Sequence, residues 1–231
     1  MFVPQHLAQN HAQGERQGEP VAQFEIGPYQ NFVYLLLDWT EKKAALIDPQ
    51  QDLSKPLECI KFHGFEWVAT LITHTHGDHT AGLPMIVQSY PEIPIFVHSQ
   101  DLHRLTREVL DSGKIQPVKN NDLIPIGTLE VEVLHTPGHS IGECCYFVKG
   151  QPPYLFSGDT LFIRDCGRTD LDTGSTEQMF QSLQNLKKLP KNCIILPGHH
   201  YQSECASLLE KELRENPALQ CTSISELTML P

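Results

Sequence analysis

Four apolar runs in this sequence end the same way, in a short glycine-bearing turn that carries histidine or aspartate. The run W-V-A-T-L-I at 67–72 leads into T-H-T-H-G-D-H at 73–79. Three later runs lead into H-T-P-G-H-S at 135–140, F-S-G-D-T at 156–160 and L-P-G-H-H at 196–200. Residues two apart on an extended segment face the same way, so His74 and His76 point together. Gly77 lets the chain turn, and Asp78 and His79 follow at the entrance of a helix. Imidazole and carboxylate donors suit zinc or non-haem iron. A polar surface loop accounts for one such cluster but not for four at matching places. The chain therefore needs a fold that gathers four strand ends at one sheet edge.

The remaining pattern supplies the strands and helices for such a fold. Residues 22–26, 31–37 and 43–47 read as strands, with Gly27-Pro28 as a turn. Helices are expected at 54–63, 80–90, 99–110, 175–188 and 203–215. Further strands are expected at 95–97 and 193–196, with hairpins at 122–126/129–134 and 143–148/154–156. Antiparallel groups of strands interrupted by single helices suit two packed sheets with helices outside. Residues 1–20 read as a flexible tail, and 21–231 as one domain with a short C-terminal extension.

The bulk numbers narrow the partners. A net charge of −11 over 231 residues disfavours phosphate backbones and anionic membranes. Seven cysteines, without a C-x-x-C pair, argue against a disulfide framework or a zinc knuckle. With no signal-peptide core and no long apolar run, the expected place is the cytoplasm.

H-x-H-x-D-H followed by single His, Asp and His resembles the metallo-β-lactamase superfamily, over about residues 21–217. The resemblance implies an α/β fold: an αβ/βα four-layer sandwich, two mixed sheets with helices on the outer faces. It implies one or two divalent metal ions, zinc first and iron second. His74, His76 and His139 would form one site, and Asp78, His79 and His199 the other. Asp159 would bridge them or complete either. G-D-T-L-F-I-R-D-C-G-R-T-D at 158–170 and G-H-H-Y at 198–201 resemble the glyoxalase II (hydroxyacylglutathione hydrolase) and persulfide dioxygenase branch.

The activity this implies is hydrolysis of a thioester of glutathione or a similar thiol by metal-activated water. Asp78 would orient that water or take its proton. The alternative is a mononuclear iron dioxygenase that oxidises glutathione persulfide to sulfite. About 30 residues follow Tyr201, fewer than the helical C-terminal domain of full-length glyoxalase II, and this bears on specificity for hydroxyacyl-glutathione. A third reading is a non-catalytic metal-binding domain, whose mark would be lost ligands; none is lost. A homodimer is also expected from the branch.

Around the ligands, Arg168, Thr169 and Tyr201 are the candidates to bind substrate, Arg168 by clamping a carboxylate. Its alternative is an ion pair with Asp165, Asp170 or Asp172. Cys166 is a candidate for thiol chemistry or for a buried structural place. Ser157 and Thr160 are expected to support Asp159. His135 reads as a hydrogen-bonded supporting residue, and His200 as pointing to solvent. His98 and His103 receive no role. Of the adjacent Cys144 and Cys145, one is expected to be buried. Leu208, Leu209 and Leu213 read as one helical core stripe.

Overall fold

The computed structural model describes residues 18–230. The strands run β1 (Val21–Ile26), β2 (Asn31–Asp38), β3 (Lys43–Ile47), β4 (Glu66–Ile72), β5 (Ile95–His98), β6 (Ile115–Val118), β7 (Leu123–Ile126) and β8 (Leu129–His135). They continue with β9 (Cys144–Val148), β10 (Tyr154–Gly158), β11 (Leu161–Phe162), β12 (Asp165–Cys166), β13 (Ile194–Pro197) and β14 (Ser207–Leu208). The helices are α1 (Ser54–His63), α2 (Gly77–Thr80), α3 (Leu83–Ser89), α4 (Arg107–Leu110), α5 (Thr176–Leu186), α6 (Leu209–Glu215), α7 (Pro217–Gln220) and α8 (Ile224–Thr228).

One sheet has the order β1-β2-β3-β4-β5-β6 and the other β14-β13-β10-β9-β8-β7. Both are mixed: β3 pairs parallel with β4 while β2 pairs antiparallel with β3, and β10 pairs parallel with β13 but antiparallel with β9. The expected four-layer sandwich is found. Strand β2 shows how it is built. All eight of its residues are buried, yet they alternate between two cores. Phe32, Tyr34 and Leu36 join the cluster between the sheets, with Tyr146, Phe156 and Leu196. Val33, Leu35 and Leu37 join the outer cluster with Ile60 of α1 and Leu83 and Ile86 of α3. The period of two persists, but both faces are covered, so the sequence shows an unbroken apolar run. The outer face of the second sheet packs Cys145, Phe147, Leu155 and Ile195 against α5, α6 and α7 through Met179, Leu183, Leu209 and Ala218.

Several expected elements differ. The helix expected at 80–90 begins at Gly77 and is interrupted before Leu83, because Pro84 offers no N–H to the turn behind it. The helix expected at 99–110 is a single 3-10 turn, Leu102–Arg104, then α4. Leu105 is extended there, and the Thr106 hydroxyl restarts the helix by accepting from the Val109 N–H at 3.4 Å. The helix expected at 203–215 opens instead as an edge strand, β14, on β13. Leu208 consequently packs on the inter-sheet core, while Leu209 and Leu213 pack on the outer one, so they are not one stripe. Strands β6, β11 and β12 were not expected. Cys144 and Cys145 are both fully buried, because each face of β9 carries its own core. Residues 1–17 of the expected tail lie outside the described residues. Glu19 and Pro20 are docked: their carbonyls accept from Trp39 Nε1 at 2.6 Å and Leu37 N at 2.8 Å.

His98, at the end of β5, is buried and stacks on His135 with ring centroids 4.0 Å apart. Burial first, and His135 second, bring its pKa down to about 4, against the opposing pull of Asp101 and Asp122. The unfolded chain takes up this proton near pH 6.5 and the folded chain only near 4. The residue's contribution to stability is thus full above pH 6.5 and is lost as pH falls through that window. His98→Asn should make the fall in urea midpoint between pH 7 and 4.5 shallower than in the wild type; an unchanged slope would contradict this.

Candidate metal centre

Backbone hydrogen bonds join the two sheets at one end and bring the four turns together. Cys144 N donates to Thr73 O at 2.9 Å, Phe32 N to Gly198 O at 2.8 Å and His200 N to Gln30 O at 2.9 Å. Two buried tyrosines add to this: Tyr146 Oη donates to Ile72 O at 2.8 Å and Tyr34 Oη to Pro197 O at 2.7 Å. Close approach needs glycine at two places. A Cβ on Gly198 would lie 2.3 Å from Asp159 Oδ1, and one on Gly158 2.5 Å from Glu143 Oε1. Gly158 also has φ +48°, which side chains resist.

All seven expected ligands converge. Donor atoms of His74, His76 and His139 lie within 4.8 Å of one another, as do those of Asp78, His79 and His199. A third set, His74, His79 and Asp159, overlaps both. His139 Nε2 lies 2.8 Å from His76 Nδ1, and His79 Nε2 lies 3.1 Å from His199 Nε2. Asp159 reaches both halves: Oδ2 is 3.5 Å from His139 Nε2 and 3.3 Å from His199 Nε2, and Oδ1 is 3.5 Å from His79 Nε2. Ligands about 2.0–2.1 Å from a tetrahedral zinc stand about 3.3 Å apart, so this spacing suits a cation. Two buried atoms facing the cluster, His74 Nε2 and Asp159 Oδ1, have no hydrogen-bond partner. A lone pair on one and a negative charge on the other are what a cation satisfies.

The histidines are aimed from behind by their other nitrogens. His79 Nδ1 pairs with Asp48 Oδ2 at 3.0 Å, His139 Nδ1 with Arg168 O at 2.8 Å and His199 Nδ1 with Tyr29 O at 2.8 Å. Burial, with the neighbouring histidines, holds His74 well below the ordinary imidazole range and brings His76 to about 4. Both are thus neutral, which is the ligating form. Burial works the same way on His79, but Asp159, Asp48 and Asp78 outweigh it and raise this ring to about 9. Asp159 is the mirror case: burial opposes its charge, while His79, His199 and His139 hold it below the usual carboxylate range.

Four further residues at the site were missed by sequence reasoning. Asp48 accepts from Thr73 N and Thr73 Oγ1, at 2.8 and 2.7 Å, besides pairing with His79. Asn31 Nδ2 donates to Asp78 Oδ2 at 2.9 Å. Asp101, fully buried, accepts from Thr75 N at 3.2 Å, Ser140 Oγ at 2.8 Å and Gly142 N at 2.8 Å, tying the His76 loop to the His139 loop. Glu143, fully buried, accepts from Asp159 N at 2.9 Å. Burial and the nearby Asp159 charge push its carboxyl well above the usual range. The available signal was a charged residue heading an otherwise apolar strand, and an aspartate ending another.

The expected substrate residues border the buried cluster and are more exposed than it. Arg168 is exposed and pairs with both oxygens of Asp170, at 2.6 and 2.7 Å; Asp165 instead bonds the Cys166 N–H. The Thr169 hydroxyl bonds that of Thr176 at 2.6 Å. Tyr201 is 54% exposed and stacks on His199, centroids 4.7 Å apart. Burial pushes the Cys166 thiol up to about 12, so the thiolate that oxidation or exchange requires is disfavoured. Ser157 and Thr160 shape the turn without touching the Asp159 carboxylate: Ser157 Oγ donates to Leu161 O, and the Thr160 and Thr136 hydroxyls bond each other. His135 does support its loop, through Nε2 and the Ile141 carbonyl at 2.9 Å. His200 does not point to solvent. It bonds Glu25 at 2.7 Å and packs on Phe32, because its backbone is pinned to Gln30.

Comparison with known proteins agrees with this layout. A family model described as "Metallo-beta-lactamase superfamily" matches residues 26–199. A hydroxyacylglutathione hydrolase of Edwardsiella ictaluri is 34% identical over 172 residues, which is 74% of this chain and 62% of that protein. The chain thus spans less than two thirds of that relative. The crystal structure of a metallo-beta-lactamase from Staphylococcus aureus superposes with TM-score 0.81 at 27% identity, covering 91% of this chain and 67% of the other. TTHA1623 in a di-iron-bound form gives TM-score 0.72 at 29% identity, covering 85% and 98%.

Asp101→Ala would strand three buried donors. Urea unfolding of the metal-free protein should show a loss of about 1–3 kcal/mol. Wild-type stability in this variant would mean that the loops hold without the clamp.

Proposed function

Since the chain belongs to the metallo-beta-lactamase superfamily, we propose that it is a metal-dependent hydrolase of the glyoxalase II type, cleaving a thioester of glutathione or a similar thiol. The observation that carries the reading is the overlap of three donor sets around two unpartnered buried atoms, His74 Nε2 and Asp159 Oδ1. In this reading His74, His76 and His139 would hold one ion and Asp78, His79 and His199 a second, with Asp159, which shares a donor set with His74 and His79, available to either. A divalent ion bound there supplies Lewis acidity for the carbonyl and lowers the pKa of a water from 15.7 to about 7.

The chain's own groups do the rest. Asp78 is half-buried and anchored by Asn31. Burial opposes its charge, but His79 and Asn31 prevail and lower its pKa, so it is an ionised acceptor that orients the attacking water. The leaving thiol has a pKa near 8.5 and departs as thiolate without a general acid. His74, His79, His139, Asp159 and His199 are buried, while His76 and Asp78 are only part-buried and mark the open side of the cluster. There the Tyr201 ring and the Arg168–Asp170 pair offer an aromatic surface and a guanidinium for an anionic thiol carrier, with Thr169 alongside. Cys166 takes no part. A reducing, cytoplasmic setting fits the buried thiols of Cys144, Cys145 and Cys193. Among the described residues no helix is long and apolar enough to cross a membrane.

A second reading, a mononuclear iron enzyme oxidising glutathione persulfide to sulfite, draws on the same donors, which accept iron. The purified protein should contain about two zinc ions per chain and cleave S-lactoylglutathione. Iron content, oxygen uptake with glutathione persulfide and no thioester cleavage would replace the first reading by the second. His139→Ala should lower kcat/KM by at least about a hundredfold with either substrate, since it removes a first-site ligand and its hold on the Arg168 loop. Near-wild-type turnover in that variant would reject the site.

A further inference from the structure

Glu143 is fully buried, and nothing in the proposed reaction uses it. One oxygen, Oε1, accepts from the Asp159 N–H at 2.9 Å. The other, Oε2, has no hydrogen-bond partner and lies 3.3 Å from His74 Nδ1. The same nitrogen lies 3.2 Å from Thr73 Oγ1, whose own proton goes to Asp48 Oδ2 at 2.7 Å. The hydroxyl can therefore only accept from His74. Both neighbours of Nδ1 call for a donor at that atom, so the ring proton belongs on Nδ1 and Nε2 is bare. Nε2 is the unpartnered nitrogen that faces His76, His139, His79 and Asp159.

We propose that Glu143 is a positioning residue that fixes the His74 tautomer and ties that ring to the strand end bearing Asp159. The two residues come from different sheets, β4 and β10, and belong together to the central donor set. One side chain, bonded to the Asp159 N–H through one oxygen and set 3.3 Å from His74 Nδ1 at the other, spaces the two from behind. A carboxyl group suits this place because each oxygen presents a lone pair, whether it is ionised or carries a proton on Oε1. An amide does not. Glutamine at 143 can accept from only one of the two donors, and its NH2 must then face the other. With its oxygen on Asp159 N, the amide drives His74 to carry its proton on Nε2, where the lone pair is needed.

The inference rests on the reading that this cluster holds a divalent metal, and the test separates the two. Metal-free wild type and Glu143→Gln are titrated with zinc against a chromophoric chelator and with cobalt(II) by visible absorption. The urea midpoint of each metal-free protein is the control for folding. The expected result is zinc binding weaker by about 10–100-fold in Glu143→Gln, with altered cobalt bands and a metal-free midpoint close to wild type. Equal zinc affinity and equal cobalt spectra would overturn the role of Glu143. Failure of the wild type itself to bind zinc or cobalt would overturn the metal reading and this one with it. Nitrogen-resolved NMR of metal-free wild type needs no variant: His74 protonated at Nδ1 supports the assignment, and protonation at Nε2 overturns it.

Discussion

The cleft depends on main-chain hydrogen bonds that cross from one sheet to the other at a single end. Thr73 bonds Cys144, Gly198 bonds Phe32, and Gln30 bonds His200. Elsewhere among the described residues the inter-sheet contacts run through side chains, which keep packed sheets about 10 Å apart. At this end the backbones touch, and histidines from opposite sheets come within about the length of a hydrogen bond. The glycines follow from the same fact. A side chain at Gly158 or Gly198 would occupy space already filled by Thr73, Glu143 or Asp159.

Bringing the ligands together creates an electrostatic problem that a second layer of residues solves. His74, His79, His139, Asp159 and His199 are all buried, and ionised groups in such a place are costly. Each ring is therefore bonded through its far nitrogen. Carbonyls serve His139 and His199, where the turn can supply one. A carboxylate serves His79. The choice has consequences. A carbonyl fixes a tautomer and adds only a dipole, whereas Asp48 adds a full charge and, with Asp159, raises the affinity of His79 for any cation, proton or metal.

How much of this was legible in the sequence follows from how local each feature is. The seven residues of the cluster could be picked out because each sits in a turn that follows a recognisable strand within a few residues. The strands themselves were found with ends close to those observed, since 22–26, 31–37 and 43–47 keep apolar runs bounded by turn residues. The supporting residues could not be found this way. Asp101 lies 26 residues from Thr75 and 41 from Gly142, and Glu143 lies 16 from Asp159. Only the closed sandwich makes them neighbours. The helix expected at 99–110 failed for a related reason. Its first residues serve the Asp101 clamp, so a tertiary demand overrode a helical pattern.

The same reasoning separates the parts of the site that are built from the parts that are exposed. Ligands and their supports are buried and bonded at several points, so their geometry is set before any substrate arrives. Arg168 and Tyr201 have no comparable support. Arg168 is held by Asp170 alone, two residues away, and Tyr201 by stacking on His199 and an edge contact with Phe162. Under the proposed function, a rigid centre edged by loosely held groups would fix the chemistry of the reacting bond and leave recognition of the rest of the substrate to a surface that can adapt. A change of chemistry would need alterations among the buried residues where the two sheets meet.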